Sequence, residues 1–348
     1  MFSTSHPLYI EDLQQILSYI EFPEGRSTSL LVTGASGMIG SLLVDSILAY
    51  NRSCKAAHVQ VYALGRRMEK LKKRFNYCEL YNQLTLIAQD ICESIDGLPS
   101  LDFIIHAASP ADPLTFSHYP VETIKANTLG MIYCLEYAKA HPGCRVLLLS
   151  TGEVYGESVD ADAFQESDYG LIDFNSIRSG YPESKRVAEL LCRSYWRQYG
   201  VDALIARLGY VYGPTMTNED SRVVAQFIRN ILAGENIVIK SAGTQRRSYC
   251  YSSDAVAGIF HIMLKGKSGE AYNITNSSSI LSIYELASYV AQLNQKTVTF
   301  DEADLMERQG FSSAKDRILK EQKLVELKWQ PHHDILNGLA RTINILKS

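Results

Sequence analysis

The sequence predicts an α/β protein built on a doubly wound parallel sheet, with a smaller lobe in its C-terminal part. Short, continuously apolar runs recur at 30–32, 59–64, 84–88, 103–108, 145–150 and 203–208, and helical segments separate them. Strands of that kind are buried on both faces, as in a parallel sheet covered by helices. The first run leads directly into "TGASGMIG" and then an apolar helix. That order of strand, glycine turn and helix makes a dinucleotide cradle. Beyond residue 208 the pattern loosens into shorter pieces.

The elements follow in order. Residues 9–21 read as an amphipathic helix, with Ile10, Leu13, Ile16, Leu17 and Ile20 on one side. Residues 1–28 are thus a helical appendage ahead of the first strand. Residues 29–208 form the dinucleotide-binding domain. Residues 209–348 form mainly a substrate-binding lobe, with a segment near 249–275 returning to the first domain. Within that lobe "GYVYGPTM" reads as a loop, and "RVVAQFIRNILAG" as a helix closed by Gly234. "NIVIKSAGTQRRSYCY" reads as two short strands about a glycine turn, and 280–293 as a helix.

Composition excludes several classes. The chain has 348 residues, 46% apolar and 21% charged, which suits a full core. A net charge of -4 gives no support to nucleic-acid or membrane-surface binding, so neither partner is expected. The seven cysteines (Cys54, Cys78, Cys92, Cys134, Cys144, Cys192, Cys250) are scattered singly, with no Cys-x-x-Cys pair. This suits reduced thiols in a cytoplasm, with no metal site. The N-terminus lacks the basic start of a leader peptide, and no run is long and apolar enough to span a bilayer. A cytoplasmic protein is expected.

Each cradle glycine has a task. Gly34 permits the tight turn, Gly37 lets the backbone approach a pyrophosphate, and Gly40 lets helix pack on strand. The backbone at Ser36, Met38 and Ile39, where the helix begins, then faces the anion. The second strand ends "ALGRRMEK", with Arg66 and Arg67 and no early carboxylate. A carboxylate there would bond the ribose hydroxyl of NAD, whereas an arginine could meet the 2′-phosphate of NADP. Two solvated surface arginines would read the same way, so NAD and NADP both stand, with a slight lean to NADP. Asp90 and Ile91 after the third strand, and Ala107 and Ala108 after the fourth, are expected beside the cofactor. A capping aspartate explains Asp90 nearly as well.

The stretch "YPESK" puts Tyr181 and Lys185 on one helix face. An ammonium beside a phenol lowers the phenol's pKa, giving a base able to take a proton from a sugar hydroxyl. An ordinary amphipathic helix accounts for the same spacing. Glu153, in "STGEVYG", is a candidate acid or base, or else a structural carboxylate. His106, at the end of the fourth strand, serves packing or catalysis. Cys192 and Cys250 have no base partner in sequence and read as buried thiols.

Together, "TGASGMIG", "HAASPADP", "STGEVYGE", "YPESK" and "ARLGYVYGPTM" stand in the order and spacing of the extended short-chain dehydrogenase/reductases. Over roughly residues 29–340 the chain resembles the nucleotide-sugar epimerases and dehydratases. Segments 104–139 and 221–255 are most similar to the UDP-glucuronate decarboxylases. The resemblance implies a nicotinamide dinucleotide that stays bound through the cycle, and transient oxidation of a sugar at carbon 4. It implies Tyr181 as the base, Lys185 on the cofactor ribose and Thr151 on the reacting oxygen. It groups Asn127 with the cofactor residues, in support of the active-site helix, and puts Arg247 on the substrate diphosphate. It also implies a homodimer that pairs the helices near 125–139 and 181–198.

Three positions depart from the family pattern. Gly152 stands where dehydratases carry a proton-donating aspartate and decarboxylases a serine. Glycine cannot donate a proton, which disfavours simple 4,6-dehydration. Tyr210 stands where an asparagine contacts the substrate, and Thr215 follows Gly213-Pro214 where decarboxylases have arginine. Tyr210 and Thr215 are therefore expected to set the substrate. The expected function is a nucleotide-sugar-modifying enzyme nearest to a UDP-glucuronate decarboxylase. An epimerase or dehydratase acting on another sugar nucleotide is the first alternative, and a net NAD(P)-dependent reductase of a small carbonyl the second.

Overall fold

The first six strands form in sequence order: β1 (Thr28–Thr33), β2 (Val59–Gly65), β3 (Leu84–Ala88), β4 (Phe103–His106), β5 (Arg145–Thr151) and β6 (Asp202–Leu208). They are followed by the short β7 (Tyr210–Tyr212), β8 (Ile237–Ile239), β9 (Arg246–Tyr251) and β10 (Ala271–Ile274). The computed structural model describes residues 4–23, 25–53, 58–77, 82–111, 113–157, 163–303 and 316–348; Cys54 and Cys78 lie outside them. Seven strands join one sheet in the order β10-β6-β5-β4-β1-β2-β3. Every neighbouring pair in it is parallel. This is the doubly wound sheet that the sequence predicts.

Alternation within each strand explains why both faces are covered. Leu30, Val32, Ile105, Leu147 and Leu204 join one core cluster, with residues of the flanking helices α1 (Pro7–Leu17) and α2 (Met38–Ser53). Leu31, Ile104, Val146, Leu148 and Ile205 point the other way, into a second cluster. Successive side chains alternate faces, so an unbroken apolar run fills two layers at once. Helices α3 (Met68–Arg74), α4 (Pro113–His118), α5 (Pro120–Ala140) and α6 (Gly180–Tyr199) follow in the chain. Of these, α5 and α6 cover the second face, through Met131, Leu135, Ala188 and Cys192.

The N-terminal helix runs from Pro7 to Leu17 rather than over 9–21. Pro7 suits a first helical turn, and the His6 ring accepts from the Leu8 N–H at 3.2 Å. After Leu17 the N–H groups of Ser18, Tyr19 and Ile20 bond back only three residues, which tightens and ends the helix. Tyr9, Leu13 and Ile16 lie in the same core cluster as β1.

The C-terminal part contains α7 (Val223–Leu232), α8 (Ser252–Lys265), β11 (Ile280–Ser282), α9 (Ile283–Leu293), β12 (Val298–Phe300), α10 (Gln322–Glu326) and α11 (Ile335–Lys347). Strands β11, β9 and β7 form a small sheet, and β12 pairs with β8. Three local readings change. The expected loop after β6 opens with a strand, because Tyr210–Tyr212 pairs with Tyr249–Tyr251. The two strands expected about one turn pair with different partners. The helix expected over 280–293 starts at Ile283, since Ser282 and Glu285 make a reciprocal capping box.

A buried ion pair ties α6 to the sheet. The Glu189 carboxylate accepts from Ser150 Oγ at 2.7 Å on β5, and from Arg207 Nη2 at 2.7 Å on β6. Glu189→Ala leaves the buried Arg207 charge without its carboxylate. It is expected to destabilise the fold by about 3–5 kcal/mol, read as a lower urea midpoint. An unchanged midpoint contradicts this role.

Candidate active site

The sheet's carboxyl edge opens into a cavity of about 1320 Å³. Its floor is the glycine turn between β1 and α2. Gly34 has φ +64°, and a Cβ there would lie 2.8 Å from the Ala107 carbonyl oxygen. A Cβ at Gly40 would lie 2.4 Å from the Gly34 carbonyl oxygen, so helix and turn touch only because residue 40 carries no side chain. A Cβ at Gly37 would meet only the Gly34 oxygen, at 3.2 Å. That leaves its backbone open to the cavity, into which the start of α2 also faces. This cradle fits a pyrophosphate.

The other expected cofactor residues surround it. Ser36, Met38, Ile39, Arg66, Asp90, Ile91, Ala107 and Ala108 all line the cavity. Arg66 and Arg67 are exposed at its margin. Asp90 lines the cavity and accepts from the Cys92 N–H at 2.9 Å, capping a turn where no helix begins. The Ala107–Ala108 turn is held by Thr33, whose hydroxyl accepts from both N–H groups at 3.1 Å. That hydroxyl is left to donate to His106 Nδ1, 3.0 Å away. His106 is fully buried and neutral, its pKa lowered to about 3 by burial and by Lys185. Asn127 does not line the cavity. It is buried between α5 and α6 and donates to Ser184 Oγ at 2.9 Å.

Opposite the cradle, α6 lies against the end of β5. Tyr181, Lys185 and Glu189 are spaced by four and share a face. Lys185 donates to the Leu149 carbonyl at 2.8 Å and Glu189 accepts from Ser150, while Tyr181 lies near Thr151. Thr151, Glu153, Tyr181 and Lys185 all line the cavity.

The free site differs from expectation in one respect. The Tyr181 phenol is pushed up, first by burial and then by Glu153, while Thr151, Arg222 and Arg178 pull it down. Lys185 is not among the groups that dominate this shift. Its ammonium is itself desolvated, with its pKa lowered to about 7 despite the Glu189 charge, and it is committed to a backbone carbonyl. The phenol is therefore protonated in the free protein.

Glu153 is gripped from two sides. Arg178 donates to both of its oxygens, at 2.8 and 3.0 Å, and Arg317 lies 3.7 Å away. Burial pushes the carboxyl up, but these guanidiniums outweigh it and hold the carboxyl below its usual range. A Cβ at Gly152 beside it would lie 2.8 Å from Leu319 Cδ1, so a side chain there would have to displace the end of Leu319.

Of the expected substrate contacts, Tyr210 and Thr215 line the cavity. Arg247 does not; it is buried with its guanidinium 5.3 Å from the Tyr210 ring. Sequence reasoning missed Arg178 and Arg317. Arg178 stands three residues before Tyr181, a position where sequence could have drawn notice. Arg317 lies in no motif, yet it is buried and lines the cavity, and its Nε and Nη1 have no hydrogen-bond partner among the described residues. Cys192 and Cys250 are buried, and burial raises both thiols, so neither suits nucleophilic attack.

A glycine cradle facing a threonine and a buried tyrosine and lysine at the sheet's carboxyl edge defines a dinucleotide-dependent α/β enzyme. The NAD dependent epimerase/dehydratase family model matches residues 30–275, and the chain belongs to that family. It is 39% identical over 264 residues to UDP-glucuronic acid decarboxylase 3 of Arabidopsis thaliana, covering 76% of this chain and 74% of that one. It is 32% identical over 320 residues to UDP-glucuronic acid decarboxylase 1 of Xenopus tropicalis, covering 91% and 72%. The structure of DesIV, a dTDP-glucose 4,6-dehydratase from Streptomyces venezuelae with NAD bound, matches with a TM-score of 0.78 at 26% identity. That match covers 91% of this chain and 96% of the other.

Lys185 sheds its proton near pH 7 when folded and near 10.5 when unfolded. Between those values the unfolded chain holds the extra proton, so this group makes stability rise with pH across that window. The stability difference between wild type and Lys185→Met is expected to shift in favour of wild type over that range, measured by urea unfolding. A difference that is flat in pH contradicts the buried ammonium.

Proposed function

We propose that this protein modifies a nucleotide sugar by transient oxidation at carbon 4, and that its reaction is most like that of a UDP-glucuronate decarboxylase. The observation that carries the reading is that Thr151, Tyr181 and Lys185 line one cavity floored by the glycine cradle. The likeness to UDP-glucuronic acid decarboxylases supports the decarboxylating form. The buried Arg317, with N–H groups still to be matched, supports an anionic substrate. The Thr151-Gly152-Glu153 sequence argues against dehydration, because Gly152 offers no proton-donating group there.

The residues divide the work. Gly34, Gly37 and the start of α2 would hold the dinucleotide phosphates, and Lys185 the nicotinamide ribose. Bound there, the nicotinamide ring supplies hydride acceptance and return. Tyr181 takes the proton from the carbon-4 hydroxyl, and Thr151 hydrogen-bonds the same oxygen. The phenol must be lowered from its free-site value to act, and a cationic Lys185 is the side chain placed to do it. Glu153, held as a carboxylate by Arg178, acts near carbon 5 as a base or as a fixed charge. Tyr210 and Thr215 contact the sugar nucleotide, with Arg247 beside Tyr210 toward its diphosphate. Arg66 and Arg67 leave room for the 2′-phosphate of NADP, so both dinucleotides are candidates.

The surroundings fit the same reading. Residues 29–208 serve the dinucleotide and 209–348 mainly the sugar nucleotide. Val121, Ile124 and Leu129 on α5 and Val187 and Leu190 on α6 are exposed apolar side chains on neighbouring helices, which supports pairing of two subunits there. Among the described residues no helix is long and apolar enough to cross a membrane. The free Cys134, Cys144, Cys192 and Cys250 favour a reducing cytoplasm.

Incubation of the NAD- or NADP-loaded protein with UDP-glucuronate is expected to release carbon dioxide, followed by mass analysis. Loss of water from another sugar nucleotide would indicate a dehydratase, and an isomer of equal mass an epimerase. No change with UDP-, CDP-, dTDP- or GDP-sugars contradicts the reading. Tyr181→Phe is expected to lower kcat by about 10²–10⁴-fold while leaving cofactor binding intact.

A further inference from the structure

Phe116 sits on the short helix α4 with 2% of its surface exposed. Its ring stacks on Tyr181, with centroids 4.9 Å apart and planes 13° apart. The Arg178 guanidinium carbon lies 5.4 Å from the same ring centroid. Arg178 in turn forks onto Glu153. One apolar ring thus lies against both the phenol and the carboxylate's cationic partner. Its neighbour Thr115 lines the cavity, whereas Phe116 does not.

We propose that Phe116 is a positioning residue, setting the plane of the Tyr181 ring and keeping it in register with the Arg178–Glu153 pair. The inference rests on the proposed role of Tyr181 as the base. A phenol on an otherwise open helix end can swing about its side-chain bonds, and each swing carries its oxygen away from a substrate hydroxyl. A stacked partner at this distance restricts that motion, and aromatic pairs favour such offset contacts. The arginine on the same ring gains from its π face, so one side chain steadies both groups. The short helix α4 packs against α5 and against the turn Ile177–Ser179 that leads into α6. Leu114 N–H also lies 3.4 Å from Ser221 Oγ, which ties α4 to the loop ahead of α7.

Phe116 also shields the phenol from water. The charged groups facing the phenol come from several elements: Glu153 after β5, Arg178 ahead of α6, and Arg222 ahead of α7. Lys185 lies one turn further along α6 itself. None of these charges is removed by changing Phe116, so a shift in titration reports the lost ring and the freed Arg178 that it held.

The test compares Phe116→Leu, which keeps an apolar side chain without a ring, with Phe116→Tyr, which keeps the ring. Both are assayed on UDP-glucuronate with cofactor bound. Phe116→Leu is expected to lower kcat roughly two- to tenfold, the size of one aromatic pair, with KM unchanged. Its acid limb should move to lower pH, because water reaching the phenol eases its ionisation. Phe116→Tyr should keep the wild-type kcat and pH profile. Ultraviolet titration of the Tyr181 phenol, as each protein minus its Tyr181→Phe counterpart, supplies a second readout that needs no substrate. Phe116→Leu with wild-type kcat and wild-type titration overturns the proposal. So does equal damage in both variants carried by KM. Turnover that survives Tyr181→Phe removes the reading of the phenol as base, and this inference with it. An inactive Tyr181→Phe beside an unaffected Phe116→Leu removes this inference alone.

Discussion

The site depends on how one helix face is joined to the end of one strand. Two consecutive residues of β5 bond to residues of α6 spaced by four, the Leu149 carbonyl with Lys185 and Ser150 with Glu189, and the next, Thr151, lies near Tyr181. A strand advances by about 3.3 Å per residue and a helix by about 6 Å per four residues, so the two run out of step quickly. Only a short stretch can pair in this way, and it falls at the carboxyl edge of the sheet beside the glycine cradle. Glu189 has a second partner, Arg207 on β6, which anchors the far end of the join. The placement of Tyr181 and the stability of the fold therefore depend on the same helix–strand join.

That arrangement sets the electrostatics. Lys185 is held in a buried place where its charge costs much, and the phenol beside it is held protonated. Glu153, mostly buried, keeps its charge because arginines surround it. Three titratable groups within one cavity are thus pushed in different directions by burial and by neighbours. Such divergence is common where proton transfer is organised.

The sequence made the large sheet and the cradle legible because both are local. Each buried strand is a contiguous run, and the cradle lies within "TGASGMIG". The pairing of β7 with β9 was not legible, since three residues of strand carry little pattern and the partner lies far along the chain. The start of α9 was blurred because Ile280–Ser282 is apolar enough to extend the helical pattern, while the cap at Ser282 ends it. Tyr181, Lys185 and Thr151 were found by spacing and motif. Arg317, Arg178 and Phe116 were not, because they come from three separate segments that only the fold brings to Glu153 and Tyr181. Arg247 carried a motif, yet it stands beside Tyr210 and off the cavity wall.

The central claim is that the hydroxyls of Tyr181 and Thr151 converge on one sugar alcohol above the cradle. A crystal structure of the protein with NAD and an unreactive 4-deoxy sugar nucleotide tests it most directly. The account predicts carbon 4 of the sugar beside both hydroxyls, with the dinucleotide phosphates on the backbone of Gly34 and Gly37. A sugar bound with carbon 4 turned away from Tyr181, or a dinucleotide seated elsewhere, would contradict it.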